Sequence, residues 1–205
     1  DLSSIKGISD LSLTTNGVLL KEFARPLKDA GLKRVNVSLD SLQRERFHRI
    51  TRGDNLQDVL DGLKEAHASG LRPVKINMVV IKGFNDDEAL PFALISTKEP
   101  YHIRFIEYMP FDSAVGWRKD KCVSAKEIQD VLNTAGELTP VKAQIEGGGP
   151  AKRFRFKGAP GEIGFISPVS EHFCDTCNRL RLTAVGKLRT CLFSDNEIDL
   201  RTPLR

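Results

Sequence analysis

Between residues 11 and 109, short β-rich apolar runs alternate with segments of helical period, and this alternation most narrows what the chain can fold into. Leu11-Ser-Leu-Thr-Thr15 reads as a strand ended by Asn16-Gly17. A helix is expected over 18–30, with Leu19, Leu20, Phe23 and Leu27 on one side, a kink at Pro26 and a stop at Gly31. Residues 35–39 form the next strand. Residues 55–69 are amphipathic, with Leu56, Val59, Leu60, Leu63 and Ala66 as the stripe and Gly70 after the end. Residues 74–81 read as a third strand, 86–97 as a third helix and 103–108 as a fourth strand. Strand, crossover helix and strand in repetition imply parallel strands and an α/β fold.

The choice lies between a doubly wound sheet and a barrel. No Gly-x-Gly-x-x-Gly follows any strand, which weakens a dinucleotide fold. Polar residues stand in or at the ends of successive strands: Thr14 and Thr15, Ser38 and Asp40, Lys75 and Asn77, Arg104 and Glu107. Such groups are costly in doubly covered strands unless they bind something. A barrel collects them in its interior and at its carboxyl-end mouth. Four βα units cannot close one, so the expectation is an incomplete parallel (βα) barrel. The chain does not begin with Met and reads as starting inside a longer protein.

The organisation changes after Met109-Pro110, and a boundary near residue 112 divides a partial barrel, 1–112, from a C-terminal domain, 113–205. Ser124-Ala-Lys-Glu127 is a capping box opening a helix through Leu132. A Gly/Pro-rich loop over 146–150 leads to β-like runs at 153–156 and 163–167, then a cysteine hairpin and a final short helix from Asn196.

The hairpin carries the chemistry. Cys174, Cys177 and Cys191 follow the order Cys-x2-Cys-x13-Cys. Arg179, Arg181 and Thr183 alternate with Leu180 and Leu182, Gly186-Lys187 turns the chain, and 188–193 returns, folding Cys191 back beside the first two cysteines. A closed structural zinc site wants four protein ligands. Three thiolates on an iron–sulfur cluster leave one iron open, and two arginines on one strand face beside it suit an anionic substrate. Other readings of the same spacing stand beside this one. A zinc knuckle could be completed by His172 or Cys122. A disulfide could leave a spare thiol, although four cysteines in 205 residues are too sparse for a secreted scaffold. The arginines could be a solvated strand face.

Composition sets limits. A net charge of +4 permits an anionic ligand but falls short of a nucleic-acid binder's basic stripe. No apolar run approaches 18 residues, so no membrane span is expected. The residues thus point to no nucleic acid and no membrane.

The chain resembles the GTP 3′,8-cyclase family of molybdenum-cofactor biosynthesis, which are radical S-adenosylmethionine enzymes. The carrying motifs are Leu13-Thr-Thr-Asn-Gly17, Val37-Ser-Leu-Asp-Ser41, Val74-Lys-Ile-Asn77, Arg104-Phe-Ile-Glu-Tyr-Met-Pro110, Phe173-Cys-Asp-Thr-Cys-Asn-Arg-Leu-Arg181 and Cys191-Leu-Phe193. The resemblance implies a barrel of the radical-S-adenosylmethionine type and conversion of GTP to 3′,8-cyclo-7,8-dihydro-GTP. Cys174, Cys177 and Cys191 would then hold an auxiliary 4Fe–4S cluster. Thr14, Lys75, Arg179 and Arg181 would face GTP; Ser38 and Met109 would contact S-adenosylmethionine, with Arg104 in the same cavity. No residue is expected to act as a catalytic acid or base. A cyclic pyranopterin synthase would act downstream, and the assembly could be a homodimer. The wording of 107–112 and 170–174 is closer to eukaryotic members, which implies the mitochondrial matrix, or else the cytoplasm. One departure is large: the family's first-cluster motif, Cys-x3-Cys-x2-Cys, has no counterpart among these residues. The second 4Fe–4S cluster would belong to a full-length protein, and this stretch alone is expected not to turn over. The rival function is a zinc-hairpin binding module on an α/β scaffold.

Overall fold

Val74-Lys-Ile-Asn-Met-Val-Val80 sets the pattern of the whole sheet, because every second side chain must face the same way. Val74, Ile76, Met78 and Val80 are buried among apolar neighbours, whereas Lys75, Asn77 and Val79 look to the other side. The structure, a computed structural model, describes residues 2–110, 117–141 and 149–205. It contains β1 (Ser12–Thr15), α1 (Leu20–Asp29), β2 (Arg34–Ser38), α2 (Arg44–Thr51), α3 (Leu56–Ala68), β3 (Val74–Val80), α4 (Ala89–Lys98) and β4 (His102–Glu107). There follow α5 (Ala125–Asn133), β5 (Leu138–Pro140), β6 (Lys152–Phe156), β7 (Glu162–Ile166), β8 (Arg181–Leu182), β9 (Lys187–Arg189) and β10 (Ile198–Asp199).

Seven strands form one sheet in the order β1-β2-β3-β4-β7-β6-β5. β1, β2, β3, β4 and β7 are parallel; β6 and β5 join antiparallel at the far edge. This is the expected mixed α/β fold with a mostly parallel, unclosed sheet. The sheet also runs past residue 112 in sequence, through the β4–β7 pairing. The boundary expected near 112 lies outside the described residues, as does most of the expected loop at 146–150.

One face of the sheet is mainly apolar, with Glu107 as its buried charged exception. Val35, Val74, Ile76, Ile103, Ile163 and Met78 are fully buried there. Helices cover this face. At the α1–α3 contact, a Cβ on Gly62 would meet the Gly17 carbonyl oxygen at 2.9 Å, so only glycine lets the two helices approach so closely.

Several local expectations change. α1 runs through Pro26 to Asp29, but it buries Leu20 and Ala24, leaving Leu19 62% and Phe23 43% exposed. α2 was invisible in the apolar pattern because only Phe47 is buried. Polar contacts hold it instead: Arg46 bonds Asp87 and Glu88, and buried Glu88 accepts from Ser41 Oγ at 2.8 Å and Leu42 N at 2.7 Å. The capping box at Ser124 and Glu127 is present as expected. The final helix from Asn196 is not. Ile198 pairs with Leu188, and Asp199 then accepts from the Arg201 and Thr202 amides, which bends the chain into a turn.

Candidate functional site in two sheets

The helix-free face of the large sheet is built in rungs. Register places Thr14, Asn36, Lys75, His102 and Glu162 side by side across five parallel strands. The next rung is Ser38, Asn77, Arg104 and Gly164, with Arg153 of β6 opposite Gly164. Thr14, Ser38, Lys75 and Arg104 are thus brought onto one surface, as the polar alternation implied. Glu107, grouped with Arg104 in the sequence reading, lies three residues on and therefore takes the opposite, helix-covered face. Asn36, His102, Arg153 and Glu162 belong to the polar face and escaped notice. The signal available was their even spacing from Ser38, Arg104, Arg155 and Gly164.

This face is cationic and partly dehydrated. Lys75 is only 8% exposed, and burial, helped by Arg104 and Arg34, lowers its ammonium to about 8. Burial likewise lowers Arg104 to about 10, with Arg34 and Arg153 adding repulsion. Burial takes His102 down to about 4 despite the pull of Glu162, so its ring is neutral near pH 7 and its 3.6 Å approach to Glu162 is no ion pair. Burial works to raise the Glu162 carboxyl. Hydrogen bonds from Arg153 at 2.8 Å and Arg155 at 2.8 Å, with the nearby His102, bring it below the usual carboxylate range instead. His102, Arg104, Arg153 and Glu162 line a shallow, open depression with a cavity volume of only about 10 Å³. Two acceptors on the face, Asn36 Oδ1 and Asn77 Oδ1, are buried with no partner among the described residues. A buried unsatisfied carbonyl oxygen costs about 1–3 kcal/mol, so a polar ligand with N–H or O–H donors fits here.

Cys174, Cys177 and Cys191 lie in the second, three-stranded sheet region, ordered β10-β9-β8. Arg181 stands opposite Arg189 and Leu182 opposite Leu188, with the turn at Thr183–Lys187 closed by Gly186 at φ +84°. Continued two residues further, this register would set Cys191 across from Arg179, just beyond Cys177. Pairing stops at Arg189, however, and among the described residues no three His, Cys, Asp or Glu side chains are gathered into a metal-holding group. The thiols themselves suit a metal: all three are free and exposed. The Arg179 backbone N–H and then its guanidinium hydrogen-bond Cys177 and hold its thiol below the usual range. Cys122 is also free, half-buried, and raised by burial.

Cations crowd this small sheet. Arg179 lies over the Phe173 ring, 5.1 Å from its centroid. Arg181 faces Arg189, a like-charge pair that is unfavourable without an anion nearby. Glu197 takes Arg189 at 2.7 Å and Lys187 at 3.0 Å. Met109 lies two residues beyond the carboxyl end of β4.

Comparison with known proteins divides the chain elsewhere, between β3 and β4 of the large sheet. The Radical SAM superfamily matches residues 2–93, and the Molybdenum Cofactor Synthesis C family matches residues 101–205. The chain is 51% identical over its whole length to a GTP 3′,8-cyclase of Pelotomaculum thermopropionicum, and 54% identical to one of Thermodesulfovibrio yellowstonii. A third, from Moorella thermoacetica, is 50% identical over the full chain. In each case the chain spans 63% of the relative's own length. With half of its residues matched by that family and the preceding half by the superfamily, the chain belongs to the Molybdenum Cofactor Synthesis C family, joined to a Radical SAM segment.

Proposed function

We propose that this chain is the substrate-holding part of a GTP 3′,8-cyclase acting at the first step of molybdenum-cofactor biosynthesis. The observation that carries the reading is the cationic polar face of the parallel sheet, where Lys75 and Arg104 are held dehydrated beside unpartnered Asn36 and Asn77 acceptors. A dehydrated Lys75 ammonium next to open acceptors matches a nucleoside triphosphate, which offers phosphate oxygens to the cation and hydroxyl donors to the acceptors, while Arg104 on the next rung serves the second reactant. Thr14 and Lys75 contact GTP in this reading. Ser38, Met109 and Arg104 lie toward S-adenosylmethionine. Cys174, Cys177 and Cys191 hold an auxiliary 4Fe–4S cluster, and Arg179 and Arg181 bind GTP beside it.

When bound, the iron–sulfur groups and S-adenosylmethionine supply the one-electron chemistry that opens the ribose C–H bond. The residues of this chain bind, orient and shield. The buried ammonium of Lys75 attracts phosphate more strongly than an exposed one, because little water screens it. His102, neutral near pH 7, is no imidazolium acid there. The helix-covered face beneath the rungs, with Ile76, Ile103 and Ile163 fully buried, closes the floor to water. A full-length protein carries the second cluster in this reading, passes its product to a cyclic pyranopterin synthase and assembles as a homodimer. Its compartment is the mitochondrial matrix in a eukaryote, or the cytoplasm.

Equilibrium GTP binding in the full-length protein tests this. Arg179→Ala and Arg181→Ala should each weaken binding about tenfold to hundredfold, the worth of one charge-assisted hydrogen bond. Reductive cleavage of S-adenosylmethionine without GTP should be retained. Lysine at either position should restore only part, since it lacks the planar fork. Unchanged affinity in both alanine variants would return these arginines to a solvated strand face and favour the zinc-hairpin alternative, which one zinc per chain would then support.

A further inference from the structure

Glu107 is the last residue of β4, 1% exposed, and lies on the helix-covered face, away from the cationic rungs. A carboxylate there must be satisfied by hydrogen bonds. Four donors reach it from two distant places. Its Oε2 accepts from the backbone N–H of Val169 at 2.9 Å and of Ser170 at 2.9 Å. Its Oε1 accepts from the Ser170 hydroxyl and from the N–H of Ala125 at 3.2 Å, the first residue of α5. One side chain thus joins the carboxyl end of a central parallel strand, a helix N-terminus and the turn that precedes Cys174 by four residues.

The turn has other ties: Glu171 N donates to Ser167 O at 3.1 Å, and Lys152 pairs with Glu171 at 2.6 Å. The Lys152–Glu171 pair is solvent-exposed, so it contributes little. The bonds to Glu107 are better shielded, since the carboxylate that accepts them is 1% exposed. From residue 171 onward no described residue is buried, so the cysteine segment has no core of its own to hold it in place.

We propose that Glu107 is the positioning residue that fixes the cysteine-bearing arm against the carboxyl end of the parallel sheet. This rests on the proposed function, in which Met109, two residues beyond Glu107, faces S-adenosylmethionine while the arm holds GTP. Two reactants held on separate pieces of chain react only while their separation is kept, and a displacement of about 1 Å can cost about a hundredfold in rate. Glu107 sets that separation without touching either reactant.

The test compares full-length wild type, Glu107→Gln and Ser170→Ala. Glutamine keeps the shape but offers one acceptor oxygen, so an amide NH2 confronts two of the four donors. In Glu107→Gln the amide hydrogens that face the new NH2, that of Ala125 or those of Val169 and Ser170, should exchange about tenfold faster or more, the worth of a lost buried hydrogen bond. The ratio of 5′-deoxyadenosine released to cyclised product should rise about tenfold or more, through loss of reactant alignment. The dissociation constant for S-adenosylmethionine should stay within about twofold, because sites without shared partners are nearly independent. Ser170→Ala, an exposed position that removes one donor, should raise the ratio by a smaller factor, and it decides the matter if Glu107→Gln does not fold. A wild-type ratio in both variants would overturn the proposal and leave Glu107 as packing only. If wild type forms no cyclised product from GTP, the functional reading fails. Unchanged exchange at all three amides, Ala125, Val169 and Ser170, would still sink the strut on its own.

Discussion

The large sheet and the small one are ordered by different means. In the large sheet, Val35, Ile76, Ile103 and Ile163 are fully buried beneath helices, and most polar groups of the strands share the other face in register. In the small sheet, strands of two or three residues carry Leu182 at 68% and Ile198 at 54% exposure, and ion pairs through Glu197 stand where a core would be. Burial of apolar surface stabilises the first; short exposed strands are marginal without further support. The lesson is that one chain can order one sheet by burial and another by exposed ion pairs alone. Among the exposed groups of the small sheet, three free thiols are the ones a metal could tie together.

The largest effect should appear at those thiols. Anaerobic reconstitution of the full-length protein with Cys191→Ser should bind about four fewer irons per chain than wild type. Equal iron in the two proteins would break the contrast, because the small sheet would then owe nothing to a cluster.

A smaller effect separates the two sheets by packing. Ile103→Ala should cost about 2–5 kcal/mol in denaturant unfolding, since it opens a cavity in a fully buried layer. Leu182→Ala, mostly exposed, should change stability by about 0.5 kcal/mol or less. A comparable loss at Leu182 would mean that a covering surface hides the small sheet in solution.

The smallest effect concerns Lys75 and sharpens the electrostatic half of the comparison. Its ammonium is lowered to about 8 by burial, with Arg104 and Arg34 repelling it and Asp10 opposing them. A polyanion binds the charged form, so GTP affinity should be level below pH 8 and weaken as pH rises through it, by about tenfold per pH unit at most. Lys75→Arg should flatten the profile between pH 7 and 9, which calorimetric titration would show. A wild-type profile already flat over that range would place Lys75 outside the GTP contact.

Much of the scaffold was legible because strand and helix periods survive wherever one face is buried. β3 and α3 fall within a residue or two of their expected limits, since Val74, Ile76 and Met78, or Val59, Leu63 and Ala66, repeat at the spacing their surroundings demand. α2 was not legible: salt bridges to Asp87 and Glu88 hold it, and those partners lie some forty residues away. The tail helix failed because Asn196 onward has backbone groups that another strand can use, and pairing with Leu188 satisfied them first.

Residue order alone determined the parallel α/β class, the polar positions along each strand and the presence of three thiols beside two arginines, because these depend on spacing within a short stretch. Only the tertiary structure decided which of those positions meet. Register put Thr14, Lys75 and Arg104 among His102, Glu162 and Arg153, and an odd spacing turned Glu107 to the opposite face, where it meets Ser170, 63 residues away. Long-range pairing is set by how strands and helices share their buried surface, and a local pattern of residue types does not contain that information.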